Sequence, residues 1–305
     1  WSIRNRQMRW ILEKFTGLAQ GRKLPQIAGT SFLKWASRNH LNRSNRDPGN
    51  KVLYFVDIFA NWFDPDLARC LVSIFKHHGI SVYVPGDQLW SSSSAIAEGD
   101  LEYAREVARR NVTLLAEAVR QGYTIVTTEP TAAMCLTQEY RNLLGDDDTS
   151  LVAENTQDAC HYLWQLHEQG SLELDLQPVN YHVGYHLPCH LRALAEFTPG
   201  EHLLRLIPGL SIKRIDKGCS GMAGTFGLKR KNYRNSLRSG WGLISTMRDS
   251  TIQVGTTECS SCKIQMEQGT TKPTLHPIKL LAHAYRLAPH VSKQLAHRSR
   301  DLTTS

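Results

Sequence analysis

Four cysteines in the C-terminal half have the type and spacing to do chemistry together. Cys189 lies in Tyr185-His-Leu-Pro-Cys-His190, Cys219 in Gly218-Cys-Ser-Gly-Met-Ala-Gly-Thr-Phe-Gly227, and Cys259 and Cys262 in Glu258-Cys-Ser-Ser-Cys262. Thiolates bind zinc and iron–sulfur clusters. A Cys-x-x-Cys at the start of a helix lets two sulfurs reach one centre, and the helix N-terminus stabilises the thiolates that metal binding requires. Gly218, Gly221, Gly224 and Gly227 allow backbone to approach a bulky cluster and to offer N–H groups to its sulfides. His186, His190, Ser220, Gly221 and His276 stand beside the cysteines and are read as outer hydrogen-bond partners of the ligands. Cys70 sits on an apolar helix face, and Cys135 and Cys160 have no partner at ligand spacing; all three read as structural. Thiol–disulfide chemistry at Cys259-x-x-Cys262 draws on the same helix-start geometry but leaves Cys189 and Cys219 without a role. No catalytic residue is expected.

The elements that must position these thiols are strands alternating with helices. Val52 to Val56 is a continuous apolar strand. Asp64-Pro65 opens a helix with an N-cap acceptor and a first-turn proline, and Leu67, Cys70, Leu71, Ile74 and Phe75 share one of its faces. Ile80 to Val84 is a second strand, Asp100 to Gln121 a long helix carrying Leu101, Ala104, Ala108, Leu115 and Val119 inward, and Tyr123 to Thr127 a third strand. The same order reappears with strands at His182 to His186, Ser211 to Ile215 and Thr251 to Gly255, and a helix around Asn232 to Met247. Val126-Thr-Thr-Glu129 matches Gly255-Thr-Thr-Glu258, and Leu53-Tyr54 matches Gly184-Tyr185 more weakly, giving a period of about 130 residues. The expected fold is α/β: two tandem Rossmann-like repeats with mainly parallel sheets, preceded by a helical lead, with ligands collecting at the carboxyl ends of the strands. All four cysteines fall just past strand ends.

The expected division of the chain is a basic helical lead and linker over 1–50, a first repeat over 51–150, a connecting segment over 151–180, the four-cysteine repeat over 181–290 and a flexible tail over 291–305. In the lead, Trp10, Ile11 and Phe15 are spaced for one helix face. Of the 305 residues 41% are apolar, enough for two ordinary cores. The formal charge of +8 concentrates at the two ends, where it reads as solvated or partner-facing; no recognition motif for nucleic acid accompanies it. Seven cysteines without a signal peptide or a disulfide framework fit a reducing, cytoplasmic setting. No apolar run approaches the roughly 20 residues needed to span a bilayer. The chain begins at Trp1 rather than methionine, so a longer protein is expected, with part of the function in the missing segment.

At Tyr-His-x-Pro-Cys-His, Gly-Cys-Ser-Gly-Met-Ala-Gly-Thr-Phe-Gly, Thr-Glu-Cys-Ser-Ser-Cys and His276-Pro277 the sequence resembles a known family. It is similar, over about residues 51 to 290, to the cysteine-rich (CCG-type) domains of the iron–sulfur subunits of glycolate oxidase, anaerobic glycerol-3-phosphate dehydrogenase and lactate-utilisation proteins, and to those of heterodisulfide reductase. Two such domains usually follow a ferredoxin-like module, and in some fusions a FAD-linked oxidase domain lies further upstream. The resemblance implies electron transfer from a reduced flavin, on a flavoprotein dehydrogenase domain or subunit, towards a quinone or a membrane-bound acceptor. It implies a cytoplasmic protein, at most peripheral to the inner face of the membrane through a partner, with FAD outside this chain.

The fullest family motif has adjacent cysteines where this chain has Cys219-Ser220, so a five-thiolate non-cubane cluster loses one ligand. The remaining four thiolates suit a 4Fe–4S cubane or a tetrahedral Zn2+ equally well on ligand chemistry. In the first repeat, Pro130 and Ala133 stand where Cys259 and Cys262 do, Trp90-Ser-Ser-Ser-Ser94 occupies the loop of Cys219, and Asp57 and Ile58 the strand end of Cys189; this half reads as a vestigial copy. The leading expectation is the electron-transfer segment of a FAD-linked 2-hydroxy-acid or glycerol-3-phosphate dehydrogenase, not catalytic alone. The alternative is a zinc-stabilised docking module bridging a dehydrogenase to its acceptor.

Overall fold

The computed structural model describes residues 5–45, 49–194 and 198–298. Two helices come first, α1 (Arg6–Thr16) and α2 (Phe32–Arg38). Then follow β1 (Lys51–Tyr54), α3 (Ile58–Trp62), α4 (Pro65–His77), β2 (Ser81–Tyr83), α5 (Ser93–Glu98), α6 (Leu101–Arg120), β3 (Thr124–Thr127), α7 (Pro130–Met134), α8 (Tyr140–Leu144), α9 (Asp147–Glu154), β4 (Thr156–Asp158) and α10 (Ala159–Glu168). The second series is β5 (His182–Tyr185), α11 (Cys189–Leu194), α12 (Pro199–Arg205), β6 (Ser211–Arg214), α13 (Tyr233–Ser239), α14 (Trp241–Met247), β7 (Val254–Thr256), α15 (Ser260–Gln268), β8 (Thr274–Leu275), α16 (Pro277–Ala284) and α17 (Val291–Ala296).

The strands form two four-stranded sheets, ordered β2-β1-β3-β4 and β6-β5-β7-β8, with every pairing parallel. The order is the same in both halves, as a duplication of one unit requires. Each sheet has a fourth strand that hydropathy does not announce. β4 and β8 are three and two residues long, too short for a periodic signal, and β4 falls in the stretch expected to connect the halves. The helix expected around Asn232 to Met247 is divided at Gly240, where the backbone passes so close to Ser220 that a Cβ would collide with its carbonyl. Leu101, expected to point inward, is the first residue of α6 and is 41% exposed; Ala104, Ala108 and Leu115 behind it are buried.

The main core lies between the sheets and draws on both halves. α4 packs on α16, and α10 packs on α12, so each half sends helices against the other. Leu71, Ile74, Leu203, Leu204, Leu280 and Leu281 meet in this layer. The outer face of the first sheet is covered by a second cluster around Leu53, Leu115, Ile125 and Tyr140. The outer face of the second carries a smaller one around Ile215, Leu243, Met247 and Met266, next to the cysteine loops. α17 buries Val291 and Leu295; the remainder of the tail, 299–305, lies outside the described residues. Trp10, Ile11 and Phe15 share the exposed side of α1.

Asp158 ends β4, accepts the Cys160 N–H at 2.8 Å at the start of α10, and leaves Oδ2 without a partner. Burial pushes its carboxyl up to about 6. The folded state therefore holds a proton that the unfolded chain releases near its ordinary carboxylate value, so this group's stabilisation is present at low pH and is lost as pH rises towards 6. Relative to Asp158→Asn, the metal-free wild type should lose about 2 kcal/mol between pH 4 and pH 7. Urea unfolding of both proteins at the two pH values measures this, and equal pH slopes would refute it.

Candidate metal centre

Three loops at the carboxyl edge of the second sheet carry the four expected thiols. β5 delivers Cys189 as the first residue of α11. The loop after β6 delivers Cys219, and its turns use positive φ at Gly218 (73°), Gly221 (79°) and Gly224 (59°). At Gly221 a side chain would strain the backbone and also meet the Ser236 carbonyl and Gly240, so this glycine lets the loop lie directly on the α13–α14 junction. β7 delivers Cys259 at the N-cap of α15 and Cys262 one turn into it.

Cys259 and Cys262 are buried, and Cys189 and Cys219 are exposed, so the thiols line a mouth with a deep side and an open side. A hydrogen bond from Cys259 holds the Cys262 thiol well below its ordinary pKa, with help from His186 and Ser220. The α15 N-terminus favours the same anionic form. The Cys259 thiol is correspondingly raised, first by its bond to Cys262 and then by burial. Burial, with Cys262 and Cys219 nearby, raises Cys189. Gly221 donates its N–H to Cys219 Sγ at 3.3 Å, and Ser220 Oγ lies 3.2 Å from Cys262 Sγ. His186 is 1% exposed and keeps Nδ1 without a partner.

No three of these sulfurs lie within 4.8 Å of one another; among the described residues, the His, Cys, Asp or Glu side chains that do meet this way are His77, Glu173 and Asp175. Sulfurs around one tetrahedral zinc, with Zn–S bonds of about 2.3 Å, would be separated by about 3.8 Å. The orphaned imidazole nitrogen and the glycine turns leave the mouth open to a thiolate-bound group.

The other singled-out residues divide by position. Ser220, Gly221 and His186 touch the thiols. His190 instead pairs its Nδ1 with Thr131 Oγ1 at 2.9 Å, across to the first half. His276 caps α16, accepting the Ile278 N–H at Nδ1 and donating from Nε2 to the Thr128 carbonyl. Both ring nitrogens are thus occupied by backbone, and burial pushes this imidazole down to about 3. It shares a small cavity with Cys259.

Two contributions escaped the sequence reading, a pair of glutamates and an arginine. Glu129, from the first half, accepts the Ser260 N–H at 3.1 Å and a bond from Cys259; burial raises its carboxyl to about 7. Its counterpart Glu258, raised by burial to about 8, accepts the Tyr185 hydroxyl at 2.8 Å. Both belong to the Thr-Thr-Glu signature, so the repeat marked them, but as a fixed point of alignment only. The second is Arg22, fully buried in the lead, which donates to the Gly227 carbonyl, Ser236 Oγ and Gln265 Oε1. It ties the lead to the Cys219 loop and to α15. Nothing in its polar, basic surroundings distinguishes it from a solvated arginine.

At the places matching the thiols, the first half holds Asp57 as the N-cap of α3, Ser91 bonded to Asp57 Oδ2 at 3.1 Å, and Pro130 with Ala133 in α7. Tyr140 closes this network on the Ser91 carbonyl. Hydrogen bonds between side chains hold these loops.

A parallel doubly repeated α/β fold with thiols from three loops at one sheet edge defines the class of cysteine-rich-domain proteins, and the cysteine-rich domain family (CCG) matches residues 183–267. Over 278 residues the chain is 30% identical to a subunit of anaerobic glycerol-3-phosphate dehydrogenase of Escherichia coli (strain K12), covering 91% of this chain and 69% of that protein. The chain belongs to that family. It is also 25% identical to a subunit of the fumarate reductase (CoM/CoB) of Methanothermobacter marburgensis, over 86% of this chain and 49% of that one, and 28% identical to lactate utilization protein A of Shouchella clausii, over 58% and 74%. Among the described residues no helix is long and apolar enough to cross a membrane.

Proposed function

We propose that this chain is an electron-transfer segment in which Cys189, Cys219, Cys259 and Cys262 hold a 4Fe–4S cluster. It would serve a FAD-linked 2-hydroxy-acid or glycerol-3-phosphate dehydrogenase, whose flavin lies on another domain or subunit, and deliver electrons towards a quinone or another acceptor. The observation that carries this reading is that three loops bring the four thiols to one edge of the second sheet, in a chain whose second half matches the cysteine-rich domain family. A bound cluster supplies reversible one-electron chemistry.

The chain's own residues do the rest. The α15 N-terminus, His186 and Ser220 keep Cys262 in the anionic form that ligation requires. The glycine turns around Cys219 admit a bulky group and aim backbone N–H groups into the mouth. Glu129 fixes the first turn of α15 from the other half, which gives the ligand-free repeat a positioning role. Membership in a family that includes a dehydrogenase component supports a flavoprotein partner.

Purification without oxygen, with iron and acid-labile sulfide measured per chain, tests the reading. The expected protein is brown, with iron and sulfide in comparable amounts. A colourless protein with one zinc would instead establish the docking module.

A further inference from the structure

The open side of the thiol mouth is set in a strongly basic surface. Between Lys213 and Arg238 the chain has eight lysines and arginines against one acid, Asp216. Lys213, Arg214, Lys229 and Arg230 are matched by Asp249, Glu201, Glu98 and Glu13, and Asp216 by Arg192. Lys217, Lys231, Arg234 and Arg238 form no ion pair among the described residues, and all four are exposed. Their charge is left facing solvent, where it acts at a distance.

Two of these flank the exposed thiol. Lys217 is two residues before Cys219, and its side chain lies against Gly242. Arg238 lies in the last turn of α13 beside its final residue, Ser239, whose Cβ sits against Gly221, and Gly240 lies against the Ser220 carbonyl. The next residue, Trp241, is 53% exposed, with Arg248 over its ring at 5.3 Å, and Phe226, 42% exposed, lies in the Cys219 loop itself. Unpaired cations around exposed aromatic side chains form the pattern of a docking face: Trp and Arg anchor, while outer charges steer encounter and set orientation. Solitary exposed aromatics are ordinary, but here both belong to the segments that frame one exposed thiol.

We propose that this face, Lys217, Arg238 and Trp241 around Cys219, docks an electron-transfer protein that presents an acidic surface. The charge left unmatched demands an anionic partner, and its place at the open side of the thiols requires that the partner exchange electrons there, which rests on the function proposed above. A lipid surface or a nucleic acid would satisfy the charge but accepts no electrons.

The test is binding of a small acidic ferredoxin to the purified chain by isothermal titration calorimetry, with Lys217→Glu, Arg238→Glu, Trp241→Ala and a remote control, Arg110→Glu on the exposed side of α6. Binding is expected at low ionic strength and should weaken about 10-fold or more at physiological salt. Each of the three face variants should weaken it by roughly 3–10-fold, and Arg110→Glu should not. Circular dichroism melting excludes unfolded variants. Absence of binding at low salt, equal loss from Arg110→Glu, or charge-sensitive binding of phosphatidylglycerol vesicles or oligothymidylate in place of the ferredoxin would overturn the proposal. Because calorimetry reads the surface, a zinc-containing preparation would defeat the electron-transfer reading without altering this result.

Discussion

Replacing Cys262 by serine should remove iron and sulfide from the anaerobically purified protein almost completely. Cys262 is the thiol most strongly prepared for ligation: it is buried one turn into α15, it lies at the positive end of the helix, and its proton affinity is lowered by Cys259, His186 and Ser220. Loss of an outer partner of a metal ligand already costs 10–100-fold in affinity, so loss of this sulfur should cost about 100-fold or more. Serine is nearly isosteric, and folding of the metal-free chain should be little changed. The instructive control is Cys160→Ser. Cys160 is fully buried in the core between the sheets, where burial holds its thiol well above the ordinary value. A serine there places a hydroxyl among apolar side chains and should lower stability while leaving iron per folded chain unchanged. Iron retained by Cys262→Ser, or lost equally in Cys160→Ser, would separate the four thiols into unconnected groups.

The candidate site was legible because thiols are rare and their spacing is chemically restrictive. Cys-x-x-Cys at a strand-to-helix turn and a glycine-spaced Cys219 loop each state a geometric need, and the strand pattern places all of them at one edge. What remained hidden was the contribution of distant segments. Glu129 is 130 residues from Cys259 and Arg22 is 243 from Gln265, and contacts at such separation follow from packing the halves together, which no local pattern encodes. The histidines show the complementary limit. Motif membership joins His186, His190 and His276 to the cysteines, yet the last two turn to Thr131 and Thr128 of the other half.

The fold was legible where burial is two-sided. β1 and β3 are continuous apolar runs, and the duplicated Thr-Thr-Glu fixed their correspondence with β5 and β7. β6, with the sequence Ser-Ile-Lys-Arg, is largely exposed at the sheet edge and was found through the repeat. The edge strands β4 and β8 have neither length nor apolarity, and their pairing is enforced by the helices that follow them. The Asp64 N-cap shows a signal that was present but served another purpose: its carboxylate makes no cap bond to α4. It turns to Lys279 on α16, at 2.7 and 3.0 Å.

That ion pair carries the second large effect. Lys279 is 3% and Asp64 15% exposed at the side chain, at the joint where α4 of one half meets α16 of the other. The duplication has no second copy of it: the matching N-cap and helix positions hold Thr198 and His161. Although burial raises the Asp64 carboxyl, Lys279 and Lys263 more than compensate and hold it below its ordinary value. The pair therefore contributes stability above the ordinary carboxylate pKa, lost as pH falls through the lowered one. Lys279→Met keeps the length of the side chain and removes its charge, leaving a buried carboxylate whose nearest remaining cation, Lys263, is held by Glu267. The metal-free variant should lose about 3–5 kcal/mol at pH 7 by urea unfolding. Without Lys279 the pKa of Asp64 moves upward, so the deficit should shrink on acidification to pH 4, where the carboxyl takes up a proton. The double variant Asp64→Leu/Lys279→Met should recover most of the loss, because two apolar side chains need no compensation for desolvation. A deficit below about 1 kcal/mol, or one indifferent to pH, would mean that water reaches Asp64 and screens it. A deficit of the expected size would place the stability of the joint in one asymmetric contact; Glu129 and Thr128 depend on that joint to reach Ser260 and His276.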